Sequence, residues 1–361
     1  MGLMRVVLSY WLICVFSIGS CQAEKPEKYV PASERKRIKY ATPEPGTYLK
    51  PGAYQVLQVI NRVMEEPESF EKPTQWAYRI FSPRLKKTVD TAFTYRDRSI
   101  PVRIYYPTRQ SLEGNQPVIL FIHGGGFSYG SVAEYDLMVG KLAKITGMIM
   151  VSVEYRLAPE YPFPAAVDDC YDVLCWLQEN AIKIGGDKGR ICVMGDSAGG
   201  NLATVLTLRC RDDRRPLPEC QVLIYPGVTF ADTMYASRVY FGLSSMRFVL
   251  DEAFLRRVRS EYMGEMRDVR NPYLSPLEAD LTADLPPALV ITAECDPIRD
   301  GGRDYAKRLK AAGVEVEHIE YSGMIHGFMS FHMVIRDAMA AMKYIRDYLD
   351  PLMKKNQIIH E

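Results

Sequence analysis

The segment Gly195-Asp196-Ser197-Ala198-Gly199 contains the residues best suited to nucleophilic chemistry. An apolar run, Ile191 to Met194, precedes it, and small residues typical of a helix start follow it. A serine flanked by glycines, at a turn from a buried strand into a helix, is the pattern of a nucleophile elbow. The glycines permit a turn too tight for side chains, and the helix points its amide end at developing negative charge. The pattern predicts Ser197 as a nucleophile.

A serine nucleophile needs a base, which in this arrangement follows it in the chain. His326 lies in a loop directly after the last predicted strand, which spans residues 314–319, and we predict it as the base. The other histidines fit less well: His123 before the serine, His318 in the strand pattern, His332 in the predicted C-terminal helix and His360 in a polar tail.

The acid that orients this base should leave the carboxyl end of the preceding strand, Ala288 to Thr292. Glu294, Asp296 and Asp300 are within reach. Glu294 can still belong to the strand, and Asp300 has the position of a helix N-cap. Asp296 precedes Pro297 at the bend, and we favour it over the other two.

A glycine run, His123-Gly124-Gly125-Gly126, follows the apolar strand pattern Val118 to Ile122. Consecutive glycines let backbone amides converge on an oxyanion without interference from side chains. Neither the lysine nor the spacing of a phosphate-binding loop is present. We predict the amides of Gly125, Gly126 and Ala198 as oxyanion donors.

The elements that position these residues alternate between apolar strands and amphipathic helices from Thr91 onward. Runs that are apolar at consecutive positions indicate strands buried on both faces of a parallel sheet. The alternation predicts an α/β fold with a mostly parallel central sheet flanked by helices, preceded by an antiparallel hairpin over Thr91 to Tyr106. The apolar runs are residues 118–122, 148–151, 191–194, 222–224 and 288–291.

Two segments interrupt the alternation, and we interpret both as parts of a helical cap over the site. The first begins with an amphipathic helix at residues 53–66 and extends to about residue 85. The second, residues 229–285, contains a helix near Glu252 to Tyr262. Surface decoration is the alternative interpretation.

Phe127 directly follows the glycine run, so its ring should stand beside the oxyanion site. It can form the wall of an acyl pocket, or it can simply pack beneath the loop.

The N-terminus has the features of an export signal. Arg5 is followed by an uncharged apolar run, Val6 to Gly19, too short to span a bilayer comfortably. Ile18-Gly19-Ser20-Cys21 resembles a bacterial lipobox, which predicts residues 1–21 as a signal and Cys21 as a lipidated N-terminus attached to a membrane. Cleavage after Ala23 and an uncleaved anchor are alternatives.

The rest of the chain divides in two: residues 22–51 form a polar linker, and residues 52–361 form the folded domain. We expect an exported protein, either periplasmic or a membrane-anchored lipoprotein; secreted and signal-anchored forms are alternatives.

The net charge and the cysteine positions indicate which ligands and covalent bonds the chain can have. The formal net charge of +1 across 361 residues argues against nucleic acid as a ligand. No cysteine or histidine spacing indicates a metal site. Cys170, Cys175 and Cys192 fit the role of small buried apolar residues. Cys210 and Cys220 flank one loop and are the local pair considered for a disulfide.

The motifs together resemble the hormone-sensitive lipase family of α/β-hydrolases over about residues 90 to 350. The resemblance implies hydrolysis of carboxylic esters with short or medium acyl chains, without a cofactor. It maps Ser197, Asp296 and His326 onto the family's triad, and implies a structural role for Arg156 beside Asp168 or Asp169. It rests on residues 123–126, 195–200, 296–300 and 326–328, and on Tyr155 to Glu160 with Pro164 to Asp169.

Three other functions remain open for such a sequence. An amidase or peptidase, or a deacetylase, could use the same triad on a small-molecule substrate. A binding protein on an inactive scaffold, like the gibberellin receptors that resemble this family, would lack the triad histidine. That third function is disfavoured because His326 is present.

Overall fold

The computed structural model describes residues 49–65, 82–107, 116–231, 235–242 and 249–354. These residues form one sheet of eight strands with the order β1-β2-β4-β3-β5-β6-β7-β8. The predicted signal, most of the predicted linker, Cys21 and His360 lie outside the described residues. In chain order the strands are β1 (Lys87–Tyr95), β2 (Arg98–Tyr106), β3 (Gln116–Ile122), β4 (Ile149–Val153), β5 (Gly186–Asp196), β6 (Cys220–Ile224), β7 (Ala288–Cys295) and β8 (Val316–Ile325).

Strands β1 and β2 form the predicted antiparallel hairpin at one edge, with β1 starting earlier than expected, at Lys87. Strand β2 pairs antiparallel with β4, and every later pairing is parallel. The carboxyl ends of the parallel strands therefore meet at one edge of the sheet, which is where α/β folds bind their ligands.

Seven α-helices occur among the described residues, and they cover both faces of the sheet. They are α1 (Pro51–Glu65), α2 (Val132–Thr146), α3 (Ala165–Asn180), α4 (Ala198–Asp212), α5 (Glu252–Met263), α6 (Arg299–Ala311) and α7 (Arg336–Lys354).

Strand β3 shows why residues 118–122 are apolar at every position. Val118, Leu120 and Ile122 enter the core formed with α3, α4 and α6. Ile119 and Phe121 enter the opposite core, formed with α1, α2 and α7. Both faces are buried, so alternation of polar and apolar residues is absent. The predicted α/β architecture is confirmed.

Cys210 and Cys220, the local pair considered for a disulfide, are not bonded to each other. Cys192 of β5 pairs in register with Cys220 of β6 and is bonded to it, whereas Cys210 is a free buried thiol. The interpretation of Cys192 as a small apolar residue therefore also fails. Adjacent parallel strands bring together two cysteines that lie 28 residues apart in the chain.

Two smaller predictions also need correction. Asp300 is not an N-cap: α6 begins at Arg299, so Asp300 lies inside its first turn. His332 does not lie on the C-terminal helix. It follows a short 3₁₀ turn, Phe328–Phe331, and α7 begins only at Arg336.

Helix α1 packs against the opposite side of the fold from α5. Its buried face consists of Ala53, Val56, Leu57 and Ile60. Just before the helix, the Lys50 N–H donates to Gly323 O at 3.1 Å, and Lys50 Nζ lies 2.5 Å from an Asp337 carboxylate oxygen. The start of the described chain is thus attached to β8.

Arg156 has the structural role that was expected. Its backbone N–H and Nε donate to Asp169 Oδ2 at 3.0 and 2.8 Å, and Nη2 donates to Oδ1 at 2.8 Å. This ion pair fixes the chain as it leaves β4. Within the part of the chain that the structure covers, no helix is long and apolar enough to cross a membrane.

Candidate active site

Ser197 stands on a sharp turn between β5 and α4. Its φ of 55° is unfavourable for a non-glycine residue, and such strain concentrates at functional sites. The Ser197 N–H donates to Ile224 O at 2.8 Å, which secures the turn to β6. A Cβ on Gly195 would lie 2.2 Å from Gly199 O, and one on Gly199 would lie 2.0 Å from Ile122 O. Glycine is therefore required on both sides of the serine.

The structure brings Ser197 together with His326 and Asp296. His326 Nε2 lies 2.8 Å from Ser197 Oγ, and His326 Nδ1 lies 2.7 Å from Asp296 Oδ2. Asp296 is fully buried directly after β7, and its Oδ1 accepts the Ile298 N–H at 2.9 Å. His326 directly follows β8. The three side chains come from the carboxyl ends of β5, β7 and β8, and their spacing permits proton transfer from the serine hydroxyl to the imidazole.

The predicted oxyanion donors line the same cavities as Ser197. Gly125 and Gly126 have φ values of 113° and 60°, and Ala198 is the first residue of α4. The N–H groups of these residues donate to no other backbone group among the described residues. They are thus free to bind an anion, and the α4 N-terminus adds a favourable dipole.

The two other candidate acids have different partners. Glu294 accepts hydrogen bonds from Ser322 Oγ at 2.6 Å and from the Gly323 N–H at 2.8 Å. It therefore holds the segment that leads to His326. Asp300 accepts from the Ser237 N–H at 2.9 Å and from Arg299 Nε at 2.8 Å, away from the imidazole.

His123 is buried beneath the glycine run. Its ring stacks on Tyr155 with centroids 4.3 Å apart, and Nδ1 lies 2.8 Å from Gly124 O. Burial lowers the pKa of His123 to about 4, so the ring is neutral near pH 7. A neutral Nδ1–H can donate to that carbonyl and hold the loop.

Two carboxylates hold the site together in roles that were not predicted from the sequence. One is Glu294, which was considered only as a candidate for the acid beside His326 and instead binds Ser322 and Gly323. The other is Asp196, which lies inside the elbow and accepts the Gly124 N–H at 2.8 Å. The local sequence does not indicate that a carboxylate will be buried or which neutral groups it will bind.

Two cavities meet at Ser197, and Gly126, Leu250 and Phe254 line both. The first, here called the Phe127 cavity, encloses about 840 Å³ including its open mouth and is lined further by Phe127, Ala198, Val228, Phe230, Tyr235 and Ile298. The second, the His326 cavity, has a volume of about 750 Å³ including its open mouth and is lined further by Ile60, Tyr129, Tyr135, His326 and Phe331.

Phe127 both lines a cavity and packs against a neighbouring aromatic ring. It lines the first cavity, and its ring stacks on Tyr262 of α5 with centroids 3.7 Å apart. Phe127 has a φ of 62° and is only 3% exposed. Helix α5 also approaches the glycine run directly, since a Cβ on Gly126 would lie 2.6 Å from a Val258 methyl group.

Both segments predicted as cap contribute to the cavity walls. Helix α1 supplies Ile60 to the His326 cavity, and α5 supplies Phe254, Leu255 and Val258 to the Phe127 cavity. Residues 66–81 of the first segment, and residues 232–234 and 243–248 of the second, lie outside the described chain. No group of three or more His, Cys, Asp or Glu side chains in the described chain is arranged to hold a metal ion.

Known proteins resemble this chain in sequence and in fold. A family model of the alpha/beta hydrolase fold matches residues 119–330. Carboxylesterase NlhH of Mycobacterium tuberculosis is 40% identical over 247 residues, which cover 67% of this chain and 75% of that protein. Ethyl acetate hydrolase of Pseudomonas putida is 37% identical and covers 69% of this chain, with 78% of its own length matched.

A solved structure has the same fold. The hyperthermophilic esterase of the archaeon Pyrobaculum calidifontis superposes with a TM-score of 0.76 at 37% identity, covering 84% of this chain and 99% of that one. The fold and the comparisons define a serine ester hydrolase. The chain belongs to the hormone-sensitive lipase family of α/β-hydrolases and is similar to its bacterial-type carboxylesterases.

Proposed function

We propose that the protein hydrolyses carboxylic esters through an acyl-enzyme intermediate on Ser197, with His326 as base and Asp296 as the acid that orients it. The hydrogen-bonded series from Ser197 Oγ through the imidazole to Asp296 Oδ2, at 2.8 and 2.7 Å, carries the proposal. Ser197 Oγ gives its proton to His326 Nε2 and attacks the ester carbonyl. Asp296 accepts the Nδ1–H, fixes the tautomer and stabilises the imidazolium that forms.

The carbonyl oxygen becomes an oxyanion when the new bond to Ser197 Oγ forms. Gly125, Gly126 and Ala198 N–H groups bind it, because these residues line the cavities beside Ser197 and their N–H groups donate to no other backbone group among the described residues. Collapse of this intermediate breaks the ester C–O bond, and the His326 imidazolium protonates the departing alkoxide. Water, deprotonated by the same imidazole, then releases the acid and restores Ser197.

The leaving alcohol must be close to His326 Nε2 to receive this proton. We therefore assign it to the His326 cavity and the acyl group to the Phe127 cavity. Apolar side chains such as Phe127, Val228 and Phe230 line the acyl side, which favours uncharged short to medium acyl chains. Helices α1 and α5 then act as the cap that excludes water from the reacting atoms.

The test is a chain-length series of p-nitrophenyl esters, with an acetylated sugar and an anilide added, assayed on the wild type and on Ser197→Ala and His326→Ala. We expect hydrolysis of the short and medium esters, with kcat reduced about 10⁶-fold in each variant. Hydrolysis by the Ser197→Ala variant at the wild-type rate would overturn the proposal. Preference for the anilide or the sugar would assign an amidase or a deacetylase instead.

We also propose that the protein is exported as a lipoprotein attached through Cys21. The apolar run after Arg5 and the lipobox-like residues 18–21 support this. The Cys192–Cys220 disulfide adds support, since such bonds persist mainly in oxidising compartments.

Analysis of the mature N-terminus of the native protein tests this second proposal. A blocked terminus carrying lipid on Cys21 is expected. A free Glu24 would indicate ordinary secretion, and an intact apolar segment would indicate a signal anchor. Either result would overturn lipidation, and an uncleaved protein recovered without membrane or export would overturn export itself.

A further inference from the structure

Asp196 is a carboxylate buried beside the nucleophile without a cationic side chain to pair with. It is 2% exposed, and no lysine or arginine of the described chain forms an ion pair with it. Its partners are neutral: Oδ1 accepts the Gly124 N–H at 2.8 Å, and Oδ2 accepts Tyr135 Oη–H at 3.2 Å. Burial raises the pKa of Asp196 to about 6, although the Gly124 N–H and a positive charge on the nearby His326 favour the charged form. Because burial of an unpaired carboxylate destabilises the folded protein, Asp196 is expected to have a role at this place in the structure.

The reason lies in where the sheet ends. Strands β3 and β5 remain paired up to Ile122 and Gly195, the last pair in their register. Beyond that pair the two chains separate, one into the glycine run and the other into the elbow. The Asp196 carboxylate spans this gap, because it reaches from the residue before Ser197 to the residue before Gly125. It replaces the ladder hydrogen bond that the sheet no longer supplies.

The contact is also closely packed. A Cβ on Gly124 would lie 2.8 Å from Asp196 O and 2.9 Å from Oδ2, and Tyr135 Oη would be equally near. Other bonds fix the far side of the glycine run, such as the Tyr129 N–H donating to Gly125 O at 2.9 Å. The Gly124 bond is the one that joins the run to the elbow itself.

We propose that Asp196 is a positioning residue, which holds the Gly124–Gly126 loop at the distance from Ser197 that binding of the oxyanion requires. The inference rests on the proposed function of this loop. Asp196 acts through the shape and hydrogen-bond acceptor of its side chain and does not touch the substrate.

Three variants separate position from charge. Asp196→Asn keeps the shape and an acceptor for the Gly124 N–H but removes the charge. Asp196→Glu keeps the charge but moves it by one methylene, and Asp196→Ala removes both. The kinetic measurements are kcat and KM on a short p-nitrophenyl ester. The second readout is inhibition by an alkyl trifluoromethyl ketone, whose carbonyl adds Ser197 and places an oxyanion between the glycine amides.

For Asp196→Ala we expect kcat to fall about 100-fold with KM changed less than about threefold, the pattern of a lost transition-state interaction. The inhibition constant of the ketone should rise by the same factor as kcat/KM falls. Asp196→Glu should resemble Asp196→Ala, and Asp196→Asn should retain kcat within about tenfold of the wild type. If Asp196→Ala does not fold, the kcat values of Asp196→Asn and Asp196→Glu still show whether the position or the charge of the side chain matters.

The proposal is overturned if Asp196→Glu is active and Asp196→Asn is not, because charge would then be the property that matters. It is also overturned if kcat falls while binding of the ketone is unchanged. Failure of the proposed function is distinguishable from both results. It would show as activity in the Ser197→Ala variant, before any Asp196 variant is compared.

Discussion

Cys192 and Cys220 face each other across β5 and β6 and form a disulfide between these two strands. The bond joins β5, which ends one residue before Ser197, to β6, whose last carbonyl, Ile224 O, accepts the Ser197 N–H. The two strands are therefore joined twice, by the disulfide before the turn and by the Ser197 hydrogen bond at the turn itself.

Reduction of this disulfide should destabilise the protein. A closed loop of 28 residues predicts a loss of about 3 to 4 kcal/mol in the free energy of unfolding. Urea unfolding with and without a strong reductant measures the difference. The Cys192→Ala/Cys220→Ala variant is the matched control, since its stability should not respond to the reductant. Equal responses from both proteins would mean that the bond is absent.

The variants Asp296→Asn and Asp300→Asn test which carboxylate orients His326. Asp296→Asn should lower kcat about 10⁴-fold, because the amide cannot hold the required tautomer of His326. Asp300→Asn should leave kcat within about fivefold of the wild type, because Asp300 bonds Ser237 and Arg299 instead. Steady-state kinetics on one ester measures both, and the reverse ranking would refute the assignment of Asp296.

Glu294→Gln should weaken the segment that leads to His326. Glu294 accepts from Ser322 Oγ and the Gly323 N–H, and bonds to a charged acceptor contribute about 1.5 to 3 kcal/mol each. We expect kcat to fall more than KM changes, together with a lower melting temperature. Ser322→Ala removes only one of the bonds and should give the smaller effect. Unchanged kcat in Glu294→Gln would show that the segment needs no such support.

Phe127→Ala tests the acyl side of the site. Opening the Phe127 cavity should shift the preference toward longer acyl chains by about 1 to 3 kcal/mol in kcat/KM. Lost stacking on Tyr262 should lower stability as well. Phe93→Ala is the control, because Phe93 stacks on Trp176 away from both cavities. A uniform loss of rate at all chain lengths, as expected for the control, would make Phe127 purely structural.

Asp196→Asn should gain stability relative to the wild type as the pH rises. The folded protein keeps the Asp196 proton up to about pH 6, whereas the unfolded chain loses it near its ordinary value of 3.8. Wild-type stability therefore declines across this window, and the variant has no charge to bury. The difference in free energy of unfolding should grow to about 3 kcal/mol at neutral pH. A difference that is constant from about pH 4 to 7 would contradict the burial argument.

Local patterns in the sequence were sufficient for the strands, for the elbow and for the order of Ser197, Asp296 and His326. Each of these depends on residues close together in the chain. The Cys192–Cys220 bond could not be predicted, because it depends on which strands become neighbours and in what register. The partners of Asp196 and Glu294 escaped prediction for the same reason, since each carboxylate bonds a loop that follows a different strand.

Asp300 shows a different kind of failure. A carboxylate near a helix start is a reasonable cap, yet here a partner distant in sequence, Ser237, takes one of its oxygens. The contact with Ser237, which is distant in the sequence, outweighed the local preference of a carboxylate for the N-cap position.

The attachment of Lys50 has a mechanical consequence. Its N–H bonds Gly323 O, three residues before His326, and its side chain bonds Asp337. Tension on the chain that precedes Leu49 would therefore be transmitted to β8, the strand that leads to the imidazole. In a protein tethered at its N-terminus, a pull on the tether would act on the strand next to the catalytic base.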